Sequence, residues 1–554
     1  METNHLFRKI WNLLLQDKSE IFAIYFYAIL SGLVQLSVPI GVQAIIGFVL
    51  GASMVTSLYV LIFLVVLGVL FVGIFQMNQM KLIEKIQQQI FARYAFDFAE
   101  KIPRLDLLKT DQYYLPEKIN KFFDTINVQK GLSKILLDVP TASIQILFGL
   151  ILLALYHPVF IVFGFVLITI LWVILKYTSK KGLSTSLLES KYKYKVVAWF
   201  EEMARIIKSF KFSQGSHLNL KRTDENVSSY LNARTAHFKI LLFQYRALVA
   251  FKVAIITAML SVGTYLLLEQ QLNIGEFIAT EIVIITVISA VEKLISSLDS
   301  VYDTLTGLEK LAIVTESPLE KEGTFSFQHQ QEGMEIEFRD FGFEYPDGKK
   351  ALQHINMHIK PNAKICISGG AGAGKSTLIK VLSGSYRAFE GTILLNKIPI
   401  GNYQLQSLRN ATGVYLNQRE LFEGTVWENI SMGKENVTMN DIMQVSKKAG
   451  LENFVTDLSN GFETRVDPVG KKLADSVSKK ILILRALLGE PELLLLEEPW
   501  QGLEANEKLS LKKYLFDKNL KSSVIIISND PESLDQFDLH LQLKNGRANL
   551  FNQS

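Results

Sequence analysis

The chain has 554 residues, enough for two or more domains that each bury a core. Hydrophobic residues make up 49% of it and the mean hydropathy is positive, a composition that is hard to bury in water but suits a chain with much of its length in lipid. The net charge of +4 is too small over this length to indicate a nucleic-acid partner. The single cysteine, Cys366, excludes an intramolecular disulfide and favours a reducing, cytosolic environment.

Six apolar segments each come near the ~20 residues that a membrane helix needs. The first contains Pro39 and is too long for the apolar region of a signal peptide, so it is predicted to remain as a helix. The sequence therefore predicts a multi-pass protein of a lipid membrane. Its predicted spans are residues 21–44, 57–78, 135–156, 158–177, 246–268 and 274–296.

The charges between the spans predict their orientation. The connection at 45–56 carries no charged residue, and the one at 269–276 carries only acidic ones. The long connections at 81–134 and 176–239 are instead rich in Lys and Arg. Because positively charged connections stay on the cytoplasmic side, both long connections and both termini are predicted to be cytoplasmic, in a chain of the inner or plasma membrane.

The character of the chain changes after Glu309, where a polar stretch leads into alternating apolar and polar residues from Met334. Strand-like runs at 364–368, 493–496 and 524–528 then alternate with helical ones, as in a parallel α/β domain. The predicted fold class is a multidomain membrane protein, with an all-α six-helix transmembrane domain and an α/β phosphate-loop nucleotide-binding domain. Its predicted parts are a cytosolic segment at 1–20, the transmembrane domain at 21–316, a linker at 317–333 and the nucleotide-binding domain at 334–554.

A glycine-rich loop follows the first of these strand-like runs. It has the full Gly-x4-Gly-Lys-Ser spacing between a strand and a helix-like stretch. Its glycines let successive backbone N–H groups surround an anion, Lys375 supplies a cation for the β- and γ-phosphates, and Ser376 supplies a hydroxyl for Mg²⁺. The predicted ligands are ATP and Mg²⁺. The predicted phosphate-binding residues are Gly369, Gly370, Ala371, Gly372, Ala373, Gly374, Lys375, Ser376 and Thr377.

Six spans with long cytosolic connections, followed by a phosphate-loop domain, resemble one half of an ABC exporter over essentially the whole chain. Tyr345, in Phe-Glu-Tyr-Pro-Asp-Gly, matches the aromatic residue on which adenine stacks in this family. Gln418 resembles the glutamine of the family's Q-loop, which contacts Mg²⁺ and the attacking water. Residues 111–123 and 198–211 resemble the segments at and before the family's two coupling helices. The resemblance implies a dimer that couples ATP binding and hydrolysis to export.

The strand-like run at 493–496 ends in two carboxylates, Glu497 and Glu498, where the family has Asp-Glu. The resemblance places Glu498 on the general base that orients water for in-line attack on the γ-phosphate. Glu497 replaces the aspartate that orders Mg²⁺. Its extra methylene still allows it to reach the ion through a water, so we expect this role to be altered and not lost.

Other positions depart further from the family. The Leu-Ser-Gly-Gly-Gln signature is replaced by Leu-Ala-Asp-Ser-Val at 473–477. Unless it turns away, Asp475 would face the ATP of the opposite subunit, and like charges ~5 Å apart at an effective dielectric near ~20 repel by roughly 3 kcal/mol. Asn529 stands at the family's switch histidine and can donate a hydrogen bond to phosphate but cannot carry a proton. Residues 501–504 stand where the family has its D-loop.

Two functions remain open at this point. The first is a half-transporter, acting as a homodimer or heterodimer, that exports a substrate with slow ATP hydrolysis. The second is a non-hydrolysing regulatory or structural half of a heterodimer, which Ala474, Asp475 and Asn529 favour. Within the predicted spans, Glu281 and Lys252 are candidates for substrate contact because intramembrane charges are costly, although Lys252 can also extend its ammonium to the interface.

Overall fold

The computed structural model describes residues 2–51, 56–110, 115–213, 217–330, 332–418, 420–456, 458–528 and 535–552. It divides into two compact units. The helical unit comprises Met1–Pro103 and Tyr114–Ser317, and the α/β unit comprises Arg104–Tyr113 and Pro318–Ser554.

The chain up to Ser317 is helical almost throughout. Short 3₁₀ turns join some of its helices, at Leu15–Asp17, Ile102–Arg104 and Asn120–Phe123. The α-helices are α1 (Glu2–Leu14), α2 (Lys18–Gln35), α3 (Ser37–Leu50), α4 (Thr56–Lys101), α5 (Leu107–Thr110), α6 (Leu115–Ile119), α7 (Asp124–Tyr156), α8 (Val159–Arg205), α9 (Ile207–Phe212), α10 (Leu218–Leu268) and α11 (Ile274–Thr315).

Six helical segments of the described chain are long and apolar enough to cross a membrane, in agreement with the six predicted spans. They extend well beyond the predicted limits. Helix α4 has 46 residues, which is about 69 Å at ~1.5 Å per residue and more than twice the ~30 Å hydrocarbon core. The six segments are Arg8–Leu50, Thr56–Arg104, Leu115–Tyr156, Val159–Arg205, Leu218–Leu268 and Ile274–Thr315.

The first of these segments is interrupted between α2 and α3. Pro39, at the third position of α3, has no N–H to donate to the carbonyl of Gln35, the last residue of α2. The last segment begins with a capping box, in which the Asn273 side chain accepts from the Glu276 N–H and the Glu276 carboxylate accepts from the Asn273 N–H, each at 2.8 Å. The turn predicted at 269–276 therefore ends at a well-defined helix start.

The α/β unit contains two main sheets. A six-stranded sheet has the order β12-β11-β3-β10-β9-β6 and is parallel except for the β11–β12 pair, and an antiparallel sheet has the order β2-β1-β4-β5. A two-stranded ribbon joins β7 to β8. The strands are β1 (Ile336–Glu344), β2 (Lys350–Ile359), β3 (Lys364–Gly369), β4 (Glu390–Leu395), β5 (Ile398–Pro399), β6 (Thr412–Tyr415), β7 (Gly424–Thr425), β8 (Arg465–Val466), β9 (Leu493–Glu497), β10 (Ser523–Ile527), β11 (Leu539–Lys544) and β12 (Arg547–Asn552). The α-helices of this unit beyond α5 are α12 (Lys375–Leu382), α13 (Leu405–Asn410), α14 (Val426–Ser431), α15 (Met439–Ala449), α16 (Asn453–Thr456), α17 (Asp475–Leu487) and α18 (Ala505–Leu515).

Both faces of the six-stranded sheet are buried, which explains why its central strands are apolar without interruption. Alternate residues of β3 enter different cores: Ile365 and Ile367 pack with α12 and the antiparallel sheet, whereas Cys366 packs on the opposite side with α14, α15, α17 and α18. Strands β9 and β10 alternate in the same way. The carboxyl ends of β3 and β9 thus meet at one edge, where parallel α/β sheets place their ligands.

A short segment between the second and third predicted spans belongs to the α/β unit, which the sequence did not predict. The Asp106 N–H donates to the Pro318 carbonyl at 3.1 Å, and the Glu320 N–H donates to the Arg104 carbonyl at 2.8 Å. Leu108 is buried in the core beside the antiparallel sheet. Residues 104–110 therefore pair with the start of the predicted linker, while residues 111–114 of the first predicted coupling segment lie outside the described residues.

Candidate functional site

The glycine-rich loop joins β3 to α12 in a conformation that its glycines make possible. Gly369 has φ +149° and Gly374 has φ +98°. A Cβ atom at Gly369 would lie 2.4 Å from the Leu543 carbonyl oxygen, and one at Gly374 would lie 2.7 Å from the Ala351 carbonyl oxygen. Both positions therefore require glycine for backbone angle and for space.

Lys375 is the first residue of α12, and its ammonium lies over the loop. The Nζ atom donates to the carbonyls of Gly369 at 2.6 Å and Gly370 at 2.9 Å. The loop thus presents backbone N–H groups, a helix N-terminus and a cation to the same space, the arrangement that binds phosphate. This space is a cleft of about 370 Å³ lined by Tyr345, Lys349, Ala351, Ala371, Gly372, Ala373, Gly374, Lys375, Ser376, Thr377 and Glu497.

A second cleft, of about 270 Å³, adjoins the first through Ser376 and Glu497. The Ser376 hydroxyl donates to Glu497 Oε1 at 2.6 Å, so the longer side chain of glutamate reaches the serine directly. The cleft brings together Ser376, Gln418, Glu497 and Glu498, which the sequence predicted for metal binding or catalysis. It is lined by Ser376, Lys380, Leu416, Asn417, Gln418, Glu497 and Glu498.

Glu498 is held in an unusual backbone conformation. Its φ of +48° is rare for a residue with a side chain and costs about 1–2 kcal/mol. Its N–H donates to the carbonyl of Ile527 in the neighbouring strand at 2.8 Å, and its carboxylate accepts from the Ser528 hydroxyl at 3.4 Å. Backbone strain maintained in this way is a feature of functional sites.

Tyr345 follows β1 and contacts the loop through its hydroxyl, which shares a hydrogen bond with Thr377 Oγ1 at 2.8 Å. Its ring packs edge-on against Phe343 and Tyr386. The side chain is half-buried at the border of the first cleft. This is a position from which a tyrosine can contact a base, so its adenine-stacking role stays a prediction.

The predicted signature segment leads into α17. Ala474 is the residue before the helix, and Asp475 begins it. The Asp475 carboxylate is half exposed and pairs with Lys479, one turn later, at 3.2 Å. This lysine compensates the charge that the sequence predicted to repel the nucleotide. Further along the helix, Arg485 donates to the Asn429 carbonyl at 2.7 Å, and burial lowers the pKa of this arginine.

Tyr415 ends β6, close to the second cleft, and its buried hydroxyl has no hydrogen-bond partner among the described residues. Burial, together with smaller effects of the Asp475 and Glu497 carboxylates, raises its pKa to about 12. The hydroxyl therefore stays neutral near pH 7.

Of the residues that the sequence predicted for catalysis, Gln418 and Glu498 line the second cleft. Asn529 lies outside the described residues, so its predicted role remains a prediction. Gln418 is exposed beside Glu497 and Glu498. Sequence reasoning missed Asn417, because an isolated asparagine carries no signal until its partner is known.

The charged candidates within the membrane spans are on α10 and α11. Lys252 pairs with Glu292 at 3.5 Å, a partner that the sequence did not suggest. Glu281 is half-buried and lies eleven residues before Glu292, on the same face of α11. Their contact with a substrate stays a prediction.

Comparison with known proteins identifies the α/β unit and the fold. Residues 352–501 match the family model described as ABC transporter. The structure aligns over 97% of this chain and 95% of the other with a bacterial Atm1-family ABC exporter with ATP bound, at a TM-score of 0.86 and 16% identity. The chain carries an ABC transporter domain on an ABC exporter fold. This confirms the predicted fold class, and the ABC transporter domain implies ATP binding.

The chain is also similar in sequence to several ABC transporter proteins. The ABC transporter ATP-binding protein YknV of Bacillus subtilis, named as uncharacterized, is 28% identical over 58% of this chain and 53% of its own length. The mitochondrial iron-sulfur clusters transporter ABCB7 of Oryzias latipes is 33% identical over 33% of this chain and 25% of its own length. In eight of these relatives the match covers between 15% and 53% of the relative's own length.

Proposed function

We propose that this protein is a half-transporter that dimerises and couples ATP binding and hydrolysis to export of a substrate out of the cytoplasm. The observation that carries the proposal is the pair of adjoining clefts around Ser376 and Glu497, in a chain that also has six helices able to cross a membrane. One cleft offers groups that bind phosphate, and the other holds the carboxylate of Glu498. The likeness of the whole chain to an ABC exporter supports the same reading.

In this proposal the loop residues 369–377 and Lys375 hold the phosphates, while Tyr345 contacts the adenine. Ser376, Gln418 and Glu497 would hold Mg²⁺. A hydroxyl, an amide and one carboxylate suit this ion, which proteins bind through one or two carboxylates plus phosphate oxygens. The ion would neutralise charge on the phosphates.

Glu498 would act as the general base. Its carboxylate accepts a proton from a water molecule, whose oxygen forms a bond to the γ-phosphorus as the bond to the bridging oxygen breaks. ADP and inorganic phosphate leave. The strained backbone at Glu498 and the hydrogen bond from Ser528 hold this carboxylate at the second cleft.

The partner and orientation follow from the same proposal. The partner is a second ABC half-transporter, either an identical copy or a different chain. The ABC transporter domain and both termini lie in the cytoplasm because the connections at 81–134 and 176–239 carry the Lys and Arg residues.

A non-hydrolysing half of a heterodimer is the second candidate. It is favoured by Ala474, which offers no hydroxyl at the signature, by Asp475, whose carboxylate is half exposed, and by Asn529, which replaces a histidine. Such a chain would bind ATP and leave turnover to its partner.

One experiment separates the two candidates. The full chain is purified into lipid nanodiscs, its mass and subunit composition are determined, and ATP hydrolysis is compared with that of Glu498→Gln. Hydrolysis by the parent that Glu498→Gln abolishes supports the half-transporter. ATP binding without hydrolysis above the level of Glu498→Gln supports the non-hydrolysing partner.

A further inference from the structure

Side chains from two different motifs meet at Gln501, three residues after Glu498. The Asn417 amide donates to Gln501 Oε1 at 2.7 Å. The Lys479 ammonium donates to the backbone carbonyl of Gln501 at 3.2 Å. Asn417 comes from the segment after β6 and Lys479 from α17, so Gln501 is contacted from two sides.

Lys479 is itself fixed in place. Its side chain is only 15% exposed, and its ammonium pairs with the Asp475 carboxylate at 3.2 Å. A Cβ atom at Gly502, which has φ +82°, would lie 3.1 Å from the Lys479 Nζ atom. The lysine therefore occupies space next to the main chain that glycine leaves open.

Gln501 in turn is bonded to the residue that carries the proposed general base. Its N–H donates to the Glu498 carbonyl at 3.2 Å and closes the turn from Glu498 to Gln501. Because Glu498 has a strained φ of +48°, this turn needs support from its surroundings to persist. The contacts of Asn417 and Lys479 with Gln501 provide such support.

We propose that Asn417 and Lys479 are positioning residues that hold the 498–501 turn, and with it the Glu498 carboxylate, in the orientation needed to polarise water. Asp475 orients Lys479 for this purpose. Asp475, which replaces a glycine of the family's signature, thereby has a role in its own subunit as the partner of Lys479. The catalytic part of this inference rests on the proposed function, whereas the structural part does not.

The size of the effect follows from the exposure of the groups. Asn417 and Gln501 are exposed, and one hydrogen bond of this kind contributes about a fivefold change in a local opening equilibrium. Trp500 anchors the turn in one core of the α/β unit, so loss of Lys479 should loosen the contacts of Glu498 and Gln501 without unfolding that unit.

Hydrogen–deuterium exchange of the full chain in nanodiscs tests the structural part, with strand β3 as internal reference. We expect Lys479→Met to speed exchange of the Glu498 and Gln501 amides about fivefold while β3 is unchanged. Lys479→Arg keeps the charge and the donors and should restore the parent rate. Lys472→Met removes an exposed lysine of the preceding segment and is the matched control. Unchanged exchange in Lys479→Met, equal acceleration in Lys472→Met, or acceleration that extends to β3 would overturn the proposal.

A mutant cycle tests the amide contact. Asn417→Ala and Gln501→Ala each remove the same hydrogen bond, so the double variant should exchange no faster than either single variant. Additive effects would show that the two side chains act independently.

Kinetics of ATP hydrolysis test the catalytic part. Lys479→Met should lower kcat about fivefold with less than about a twofold change in KM, because Lys479 is not among the residues that line the two clefts. Lys479→Arg should recover kcat. A parent without hydrolysis but with the expected exchange pattern would refute the proposed function and leave the positioning of the turn intact. Faster exchange of the Glu498 and Gln501 amides in Lys479→Met, with kcat unchanged, would instead refute the catalytic role.

Discussion

At the scale of single residues, the structure shows what the substituted carboxylate Glu497 contacts. The family's Asp before the catalytic carboxylate is Glu497 here, and we expect this longer side chain to reach the metal through a water. Its carboxylate lies 2.6 Å from the Ser376 hydroxyl. Two oxygen ligands suitable for Mg²⁺ are therefore adjacent, and the extra methylene is absorbed by the cleft.

Removal of the loop lysine should abolish tight nucleotide binding. Lys375 brings the fixed cation of the first cleft, and charge-assisted hydrogen bonds to phosphate are roughly twice as strong as neutral ones. We expect Lys375→Ala to weaken ATP binding at least about tenfold, measured by titration of the full chain with ATP. Lys518→Ala, at an exposed position far along the sequence, is the control. A variant that binds ATP as tightly as the parent would place the nucleotide elsewhere.

Restoring the signature should accelerate hydrolysis if the chain forms a homodimer. Ala474→Ser with Asp475→Gly returns a hydroxyl and removes a carboxylate, whose repulsion of a phosphate is worth roughly 3 kcal/mol before its compensation by Lys479. Asp475→Gly also removes the partner of Lys479, a loss of at most about fivefold that relief of the repulsion outweighs, so we expect the steady-state ATPase rate to rise by about an order of magnitude.

Two further variants decide what an unchanged rate means. Adding Glu498→Gln should remove any gain, because the general base is then missing. If the restored chain is no faster, Asn529→His is added to it. A rise then locates the defect in this chain, and a rate that still does not change points to a different subunit that supplies the working signature.

At the scale of elements, periodicity predicted the strands of the site well. The runs at 364–368, 493–496 and 524–528 appear as β3, β9 and β10, each shifted by at most one residue at either end. These strands were predictable because their side chains enter a core on each face of the sheet, so successive positions are apolar and the run stands out in the sequence. The pairing of residues 104–110 with the α/β unit could not be predicted, since it depends on backbone hydrogen bonds between segments some two hundred residues apart.

The segment before β1 is attached to the α/β unit through Glu492, next to the start of β9. One carboxylate oxygen accepts from the Gln330 N–H at 2.8 Å and from His329 Nδ1 at 3.1 Å. The other oxygen is buried without a partner in the described part of the chain. Burial raises the pKa of the Glu492 carboxyl, an effect that the two hydrogen bonds only partly offset.

Glu492→Gln should stabilise the protein in a manner that depends on pH. Since the pKa in the folded state lies above the ordinary value of 4.5, the unfolded state loses this proton first, and the stability contributed by Glu492 falls as pH rises above that value. The glutamine keeps one oxygen for the Gln330 N–H and puts an N–H in place of the unpartnered oxygen. We expect the free energy of unfolding at pH 7 to rise by about 1 kcal/mol and the gain to vanish near pH 4.

Thermal unfolding of the parent and the variant at both pH values measures this effect. Glu490→Gln changes a carboxylate that is 73% exposed and is the matched control. A gain of equal size at the two pH values would contradict the assignment, because the stabilisation would then not involve the buried charge.

At the scale of the whole molecule, the sequence predicted the class of the protein because two strong signals lie in separate parts of the chain. Hydropathy predicted six spans, and a single loop with fixed spacing predicted the nucleotide. The contacts of Asn417 and Lys479 with Gln501 were not predictable, because residues far apart in sequence reach Gln501 only in the folded α/β unit. The length of α4 was also missed, since polar residues continue its helix beyond the membrane.

The orientation of the chain in the membrane is predicted from the charges of its connections alone, and cysteine labelling can test it directly. The parent has one cysteine, Cys366, which is buried in β3, so an introduced cysteine is the main reactive thiol of this protein. Gln271→Cys lies in the acidic turn before α11, and Lys221→Cys lies in the first turn of α10; both side chains are exposed. We expect an impermeant maleimide to label Gln271→Cys from outside and Lys221→Cys only after permeabilisation. The reverse pattern would invert the topology and place the ABC transporter domain on the side of the membrane without ATP.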